Sequence, residues 1–91
     1  MASSSISLTD VSVQEVSTIL ENLSFSTLVD PFRRNAISGK AINRFGSYND
    51  IVALDNAGIT IVVAQTFFED FVQKWKTSNE IPKDLLTQVP Q

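Results

Sequence analysis

The 91-residue chain has no cysteine and no histidine. Without cysteine there is no disulfide staple and no thiol nucleophile. Without either residue, zinc-type sites and the commonest general base are gone as well. Charge is also sparse: 19% of residues are charged, below the roughly 25% of ordinary globular chains. Seven bases against ten acids give −3, which offers nucleic acid no broad basic surface. Long apolar runs are missing; the longest, Ile61-Val62-Val63-Ala64, falls far short of a membrane span. The three glycines, at 39, 46 and 58, are isolated, so there is no phosphate-cradling loop. No calcium loop fits around Gly58, because placing it at the sixth loop position puts Ala53 first and Ala64 last.

What is present suits one small domain. A chain of this length buries roughly 60–65% of its unfolded surface, enough for a single modest core, and 43% hydrophobic residues is too many for disorder. The N-terminal Met1-Ala2-Ser3-Ser4-Ser5 has neither a basic nor an apolar leader region, and no lipidation signal is visible at either end. The expected location is therefore intracellular, in the cytoplasm. The sequon Asn22-Leu23-Ser24 is read as coincidental in such a setting.

Along the chain, residues 1–11 are serine-rich and aperiodic and are expected to form a flexible arm. Ser12-Val13-Gln14-Glu15 is a capping box. It opens a first helix whose Val13, Val16, Ile19, Leu20 and Leu23 share one face. A second short helix carries Leu28, Val29 and Phe32 and can extend to Ala36. It begins either at Asp30, with Pro31 in the first helical position, or near Ser26. Ser38 is placed to cap a third helix that buries Ala41, Ile42 and Phe45. Ser47-Tyr48-Asn49-Asp50 resembles another capping box, opening a fourth helix with Ile51 and Leu54 inward. Asp55-Asn56-Ala57-Gly58 ends it, with Gly58 or Asn56 suited to a left-handed terminal residue.

The longest periodic run follows: Ile61, Ala64, Phe67, Phe68, Phe71, Val72 and Trp75 recur at helical spacing. The β-branched stretch Ile59-Thr60-Ile61-Val62-Val63 could open a strand instead. Its continuation into a 3.6-residue pattern decides for a helix. The expectation is an all-α, compact bundle of five helices, four short and a long C-terminal one, over residues 12–78. Residues 79–91 form a tail in which Leu85-Leu86 docks on the core.

Chemistry-bearing constellations are absent from this pattern. Glu69 and Asp70 sit on a polar helix face, and no serine has a base to activate it. No catalytic residue, cofactor site or metal site is predicted, and the chain is not expected to be an enzyme. Two features remain. Between residues 31 and 49 stand Arg33, Arg34, Lys40 and Arg44 with no acid, which makes +4 there and −7 over the other ten acids and three lysines. Val62 and Val63 lie roughly 120–140° from the centre of the long helix's apolar face, so either a neighbouring helix covers one of them or they form a candidate exposed spot.

The order and spacing of Leu23-Ser24-Phe25, Leu28, Phe32, Ile37-Ser38-Gly39-Lys40-Ala41-Ile42, Asp50-Ile51 and Gly58-Ile59 resemble the sterile alpha motif (SAM) domain over about residues 12–77. The chain departs from that pattern in three places. The usual tryptophan opening the first helix is replaced by Val11 or Val13, the stretch from Phe45 to Gly58 is longer than usual, and Ala57 stands for a leucine. The resemblance implies a protein–protein interaction module, self-associating into a homo-oligomer or pairing with another SAM-like domain within a larger signalling or scaffold assembly.

Head-to-tail association of that family would use an end-helix side drawn from Gly58, Ile59, Thr60, Val62, Val63 and Gln65. Its mid-loop side would be drawn from Lys40, Arg44, Tyr48, Asp50, Ile51 and Asp55. The end-helix side of the family is commonly basic, and here it carries no lysine or arginine, which leaves an apolar contact through the valines. The alternative is a nucleic-acid-binding helical domain using the basic segment 33–44.

Overall fold

Each helix in the computed structural model, which describes residues 5–55 and 58–86, starts where a short polar side chain can take over a free backbone N–H or where the chain has just turned. Helix α1, Val13–Asn22, opens on the capping box: Ser12 Oγ accepts from Glu15 N–H at 3.1 Å, and Glu15 Oε1 accepts from Ser12 N–H at 2.9 Å. Helix α2 is Ser26–Arg34, with Pro31 inside it, so the earlier of the two candidate starts is the one used. Helix α3, Gly39–Ile42, follows an extended Ser38, and α4 is Tyr48–Val52. The last helix, α5, runs without a break through Ile61–Phe67, a π-helical turn Phe68–Val72, and Gln73–Ser78. Thr60 Oγ1 accepts from Val63 N–H at 3.2 Å, which caps α5 and settles its first residues as helix rather than strand. Five helices and one short ribbon among the described residues make the fold all-α.

Helices α1 and α2 both stop in a way the sequence does not advertise. After α1, Ser24 takes φ 67°, with Ser24 N–H donating to Glu21 O and Phe25 N–H to Leu20 O. After α2, Ala36 takes φ 52°, with Ala36 N–H donating to Arg33 O and Ile37 N–H to Phe32 O. Both are paired terminal bonds around a left-handed residue, usually a glycine. Neither is glycine here, and Gly58, expected in that role, has no positive φ. The other candidate, Asn56, lies outside the described residues.

Residues 5–11 of the expected flexible arm 1–11 are part of the packed body, while residues 1–4 lie outside the described residues. Ser5–Ser7 forms strand β1, antiparallel to β2, Glu80–Pro82, in the register Ser5↔Pro82, Ile6↔Ile81 and Ser7↔Glu80. Leu8 and Val11 are buried, as is Ile81. The physical reason is a close backbone approach: Gly39 N–H donates to Val11 O at 2.9 Å, and a Cβ on Gly39 would stand 1.8 Å from Leu8 O. A glycine at the start of α3 makes room for residues 8–11 to lie across it. Leu85 and Leu86 pack against the core as expected, and Asn22 Nδ2 donates to Leu85 O at 2.8 Å. Asn22 is thus engaged in a structural bond.

Phe67 is the centre of the core. Its ring lies 5.1 Å from Phe25, 5.8 Å from Phe32, 5.9 Å from Phe71 and 5.8 Å from Trp75, so α5, α2 and the α1–α2 turn meet on one side chain. The edge-to-face pairs among them are the favoured geometry for aromatic quadrupoles. Phe45, just after α3, reaches Phe32 at 6.1 Å, and Lys76 Nζ donates to Phe45 O at 2.5 Å, tying the end of α5 to the α3 region.

Two substitutions check this account. Gly39→Ala should cost about 1–3 kcal/mol in urea denaturation, by forcing residues 8–11 off α3. Amide exchange at Leu8 should then accelerate more than at Ile19. Ala36→Gly should stabilise by roughly 0.5–1 kcal/mol, because it relieves a left-handed alanine at an exposed position.

Candidate functional site

The first turn of α5 carries Ile61 and Val62, the two large hydrophobic residues that stay exposed among the described ones, at 58% and 73%. The valine pair expected from the helical phase therefore divides. Val62 is open, while Val63 is half-buried and packs against the core. Ile61, expected on the core stripe, is the neighbour that completes the exposed spot. Its helical phase points inward, but a residue in a helix's first turn is covered only if another element reaches that far.

The remaining end-helix candidates divide by burial. Gly58, Thr60 and Gln65 are exposed; Thr60 is occupied as the cap of Val63, and Gln65 Nε2 donates to Glu69 Oε2 at 3.1 Å. Ile59 is buried at 5% and anchors the loop from beneath, so it cannot be a contact residue in the folded chain.

On the mid-loop side, Lys40, Arg44 and Asp50 are exposed and Tyr48 is half-buried against the core. Ile51 is fully buried and belongs to the core, because the inward turn of α4 needs it there. Asp50 is spoken for locally. Its Oδ2 accepts from Gly46 N–H at 2.7 Å, while Ser47 Oγ accepts from Asn49 N–H, so α4 opens on two separate bonds in place of the expected capping box.

Asp55 belongs with the other surface. Its Oδ1 and its carbonyl both accept from Gly58 N–H, at 3.2 and 3.1 Å, and its Oδ2 pairs with Arg34 at 2.7 Å. The carboxylate thus links the C-terminal end of α2 to the loop that delivers Gly58, Ile59 and then Ile61-Val62. It positions the exposed spot and does not form part of a separate mid-loop patch. Pattern reading had no signal for this contact, since Arg34 and Asp55 are 21 residues apart and only the fold joins them.

The same bond bears on the basic segment. Arg34 faces Asp55, and Arg33 lines one hollow with Asp30 and another with Gln14, Ser17, Thr18 and Glu21 of α1. Lys40 and Arg44 are exposed and make no ion pair among the described residues. The four bases are therefore not a uniform stripe, as acids stand beside two of them. No helix among the described residues is long and apolar enough to cross a membrane.

Compared with protein-family models, curated proteins and solved structures, the chain matches none.

If Asp55 positions this loop, Asp55→Ala should lower Tm by roughly 4–8 °C, the equivalent of about 1 kcal/mol in a domain of this size. Arg34→Ala should cost less, because it removes an exposed ion pair yet leaves the bond to Gly58 N–H intact. Thermal unfolding followed by circular dichroism separates the two.

Proposed function

We propose that this chain is a SAM-like protein–protein interaction module that associates, with itself or with a similar domain, through the first turn of α5. The observation that carries the reading is the adjacent exposure of Ile61 and Val62 on a chain whose other described large hydrophobics are turned at least partly inward. Exposed apolar side chains held on a rigid, capped helix lose little conformational entropy on docking, and adjacent exposed apolar surface is a common mark of an interaction site. The five-helix order and the long last helix agree with the family resemblance seen in the sequence. The contact is apolar, since Gly58, Thr60 and Gln65 around it bring no charge. An intracellular role within a larger signalling or scaffold assembly belongs to the same reading.

Nucleic-acid binding through residues 33–44 is the weaker reading, because Arg34 is paired and Arg33 stands beside acids. A gel shift that disappears steeply with added salt would reinstate it.

Sedimentation velocity across micromolar concentrations should show self-association that Ile61→Glu or Val62→Glu abolishes. Val62→Glu should leave stability within about 0.5 kcal/mol of the parent, as expected of an exposed site. Val63→Glu, by contrast, should destabilise the fold. A strict monomer at high micromolar concentration would overturn the homotypic half of the proposal and leave the heterotypic half.

A further inference from the structure

The exposed pair Ile61 and Val62 meets no apolar counterpart on the mid-loop side. Ile51 is fully buried there, and the exposed residues Lys40, Arg44 and Asp50 are charged. Desolvating an unpaired charge against an aliphatic side chain costs free energy. Two hollows beside α2 are no better suited, since an acid and Arg33 line each of them.

A third hollow, between the C-terminal half of α5 and the β1–β2 ribbon, has a different character. It is a cleft of about 320 Å³ with an apolar lining of Phe71, Trp75, Pro82 and Leu85. Ser5, Ser78 and Glu80 also stand in its wall, but they are bonded to one another. Ser5 Oγ donates to Glu80 Oε1 at 3.5 Å, and Ser78 Oγ accepts from Glu80 N–H at 3.3 Å and donates to Glu80 O at 3.4 Å. Lys74 completes the lining; it is exposed and makes no ion pair among the described residues. A lysine of this kind keeps its ammonium in water and lends its stem as further apolar surface. The polar wall is thus already bonded, and what the cleft offers an occupant is apolar contact.

The exposed pair and the cleft lie towards opposite ends of one helix. Val62 and Trp75 are 13 residues apart along the unbroken α5, about 20 Å at 1.5 Å per residue. A chain therefore cannot seat its own pair in its own cleft.

We propose that Ile61 and Val62 of one copy enter the cleft lined by Phe71, Trp75, Pro82 and Leu85 of a second copy. The proposal rests on the reading of the first turn of α5 as an association surface, and it assigns that surface its receptor. An apolar projection that fits an apolar pocket elsewhere on the same molecule makes a heterologous contact. Aliphatic side chains fill a desolvated pocket and the charged groups stay outside it, as at the centre of protein interfaces. Gly58, Thr60 and Gln65 beside the pair are uncharged, so the contact does not depend on ion pairing.

Trp75 is the chain's one tryptophan and lines the cleft, so its emission reports occupancy. Sedimentation velocity and Trp75 fluorescence are followed together on the full chain over a concentration series. Emission should shift in step with association, and Val62→Glu, remote from the ring along α5, should remove both changes. Leu85→Glu should weaken association about tenfold or more. An equal mixture of Val62→Glu and Leu85→Glu should associate although neither does so alone. One variant supplies an intact cleft, the other an intact pair. Raising salt from about 0.05 to 0.5 M should change the affinity less than about twofold, since screening acts on charges.

Leu85 packs against the core, so if Leu85→Glu fails to fold by circular dichroism, Pro82→Glu at an exposed position of the same cleft replaces it. Association with unchanged Trp75 emission, or a mixture that stays monomeric, would overturn the cleft as receptor and leave the first turn of α5 as an association surface. A strict monomer at high micromolar concentration would overturn the pairing together with the homotypic reading beneath it.

Discussion

The structure depends above all on the ring of Phe67. It sits at the last residue before the π-helical turn and touches the rings of Phe25, Phe32, Phe71 and Trp75, so three parts of the chain are referred to one point. Few of the helices could stand alone. Helices α3 and α4 have four and five residues, far below the length at which a helix persists in water without tertiary support. What keeps them helical is packing of Ile42 and Ile51 against the shared core. In a domain of this size the aromatic cluster does the work that disulfides or a metal do in other small folds, in keeping with a chain that has no cysteine or histidine.

Around that centre the polar groups are used economically. Several polar side chains close backbone bonds across turns and between elements: Asp50 on Gly46, Lys76 on Phe45, Asn22 on Leu85. The buried side chains are apolar, and no buried side-chain nitrogen or oxygen among the described residues is left without a partner. Such surface-to-backbone bonds fix the loops, and the loops decide which apolar residues stay outside. The Asp55 carboxylate shows this most clearly, since it holds the approach to α5 from both Arg34 and Gly58.

Much of the fold was legible in the residues. The capping box at Ser12 and the apolar period through Trp75 pointed to α1 and the long helix, because those signals are local. The left-handed endings at Ser24 and Ala36 were not legible, since the residues that normally announce them are absent. Nor was the fate of residues 5–11, whose aperiodic, serine-rich sequence gives no hint that Gly39 leaves space for Leu8 and Val11. Of the candidate contact residues, Ile51 and Ile59 proved to be core, while Ile61, expected on the core stripe, proved to be surface.

By itself, the sequence determined that this would be a small helical domain without thiol or imidazole chemistry, and it located the start of the last helix as the place of interest. Composition and periodicity suffice for that, because they act through short-range geometry. Only the tertiary structure decided which of Ile59, Ile61, Val62 and Val63 faces solvent, and that residues 5–7 pair with residues 80–82 in a ribbon. Burial and strand pairing depend on what lies across the chain from a residue, and in a fold of short helices that neighbour is set by packing around Phe67.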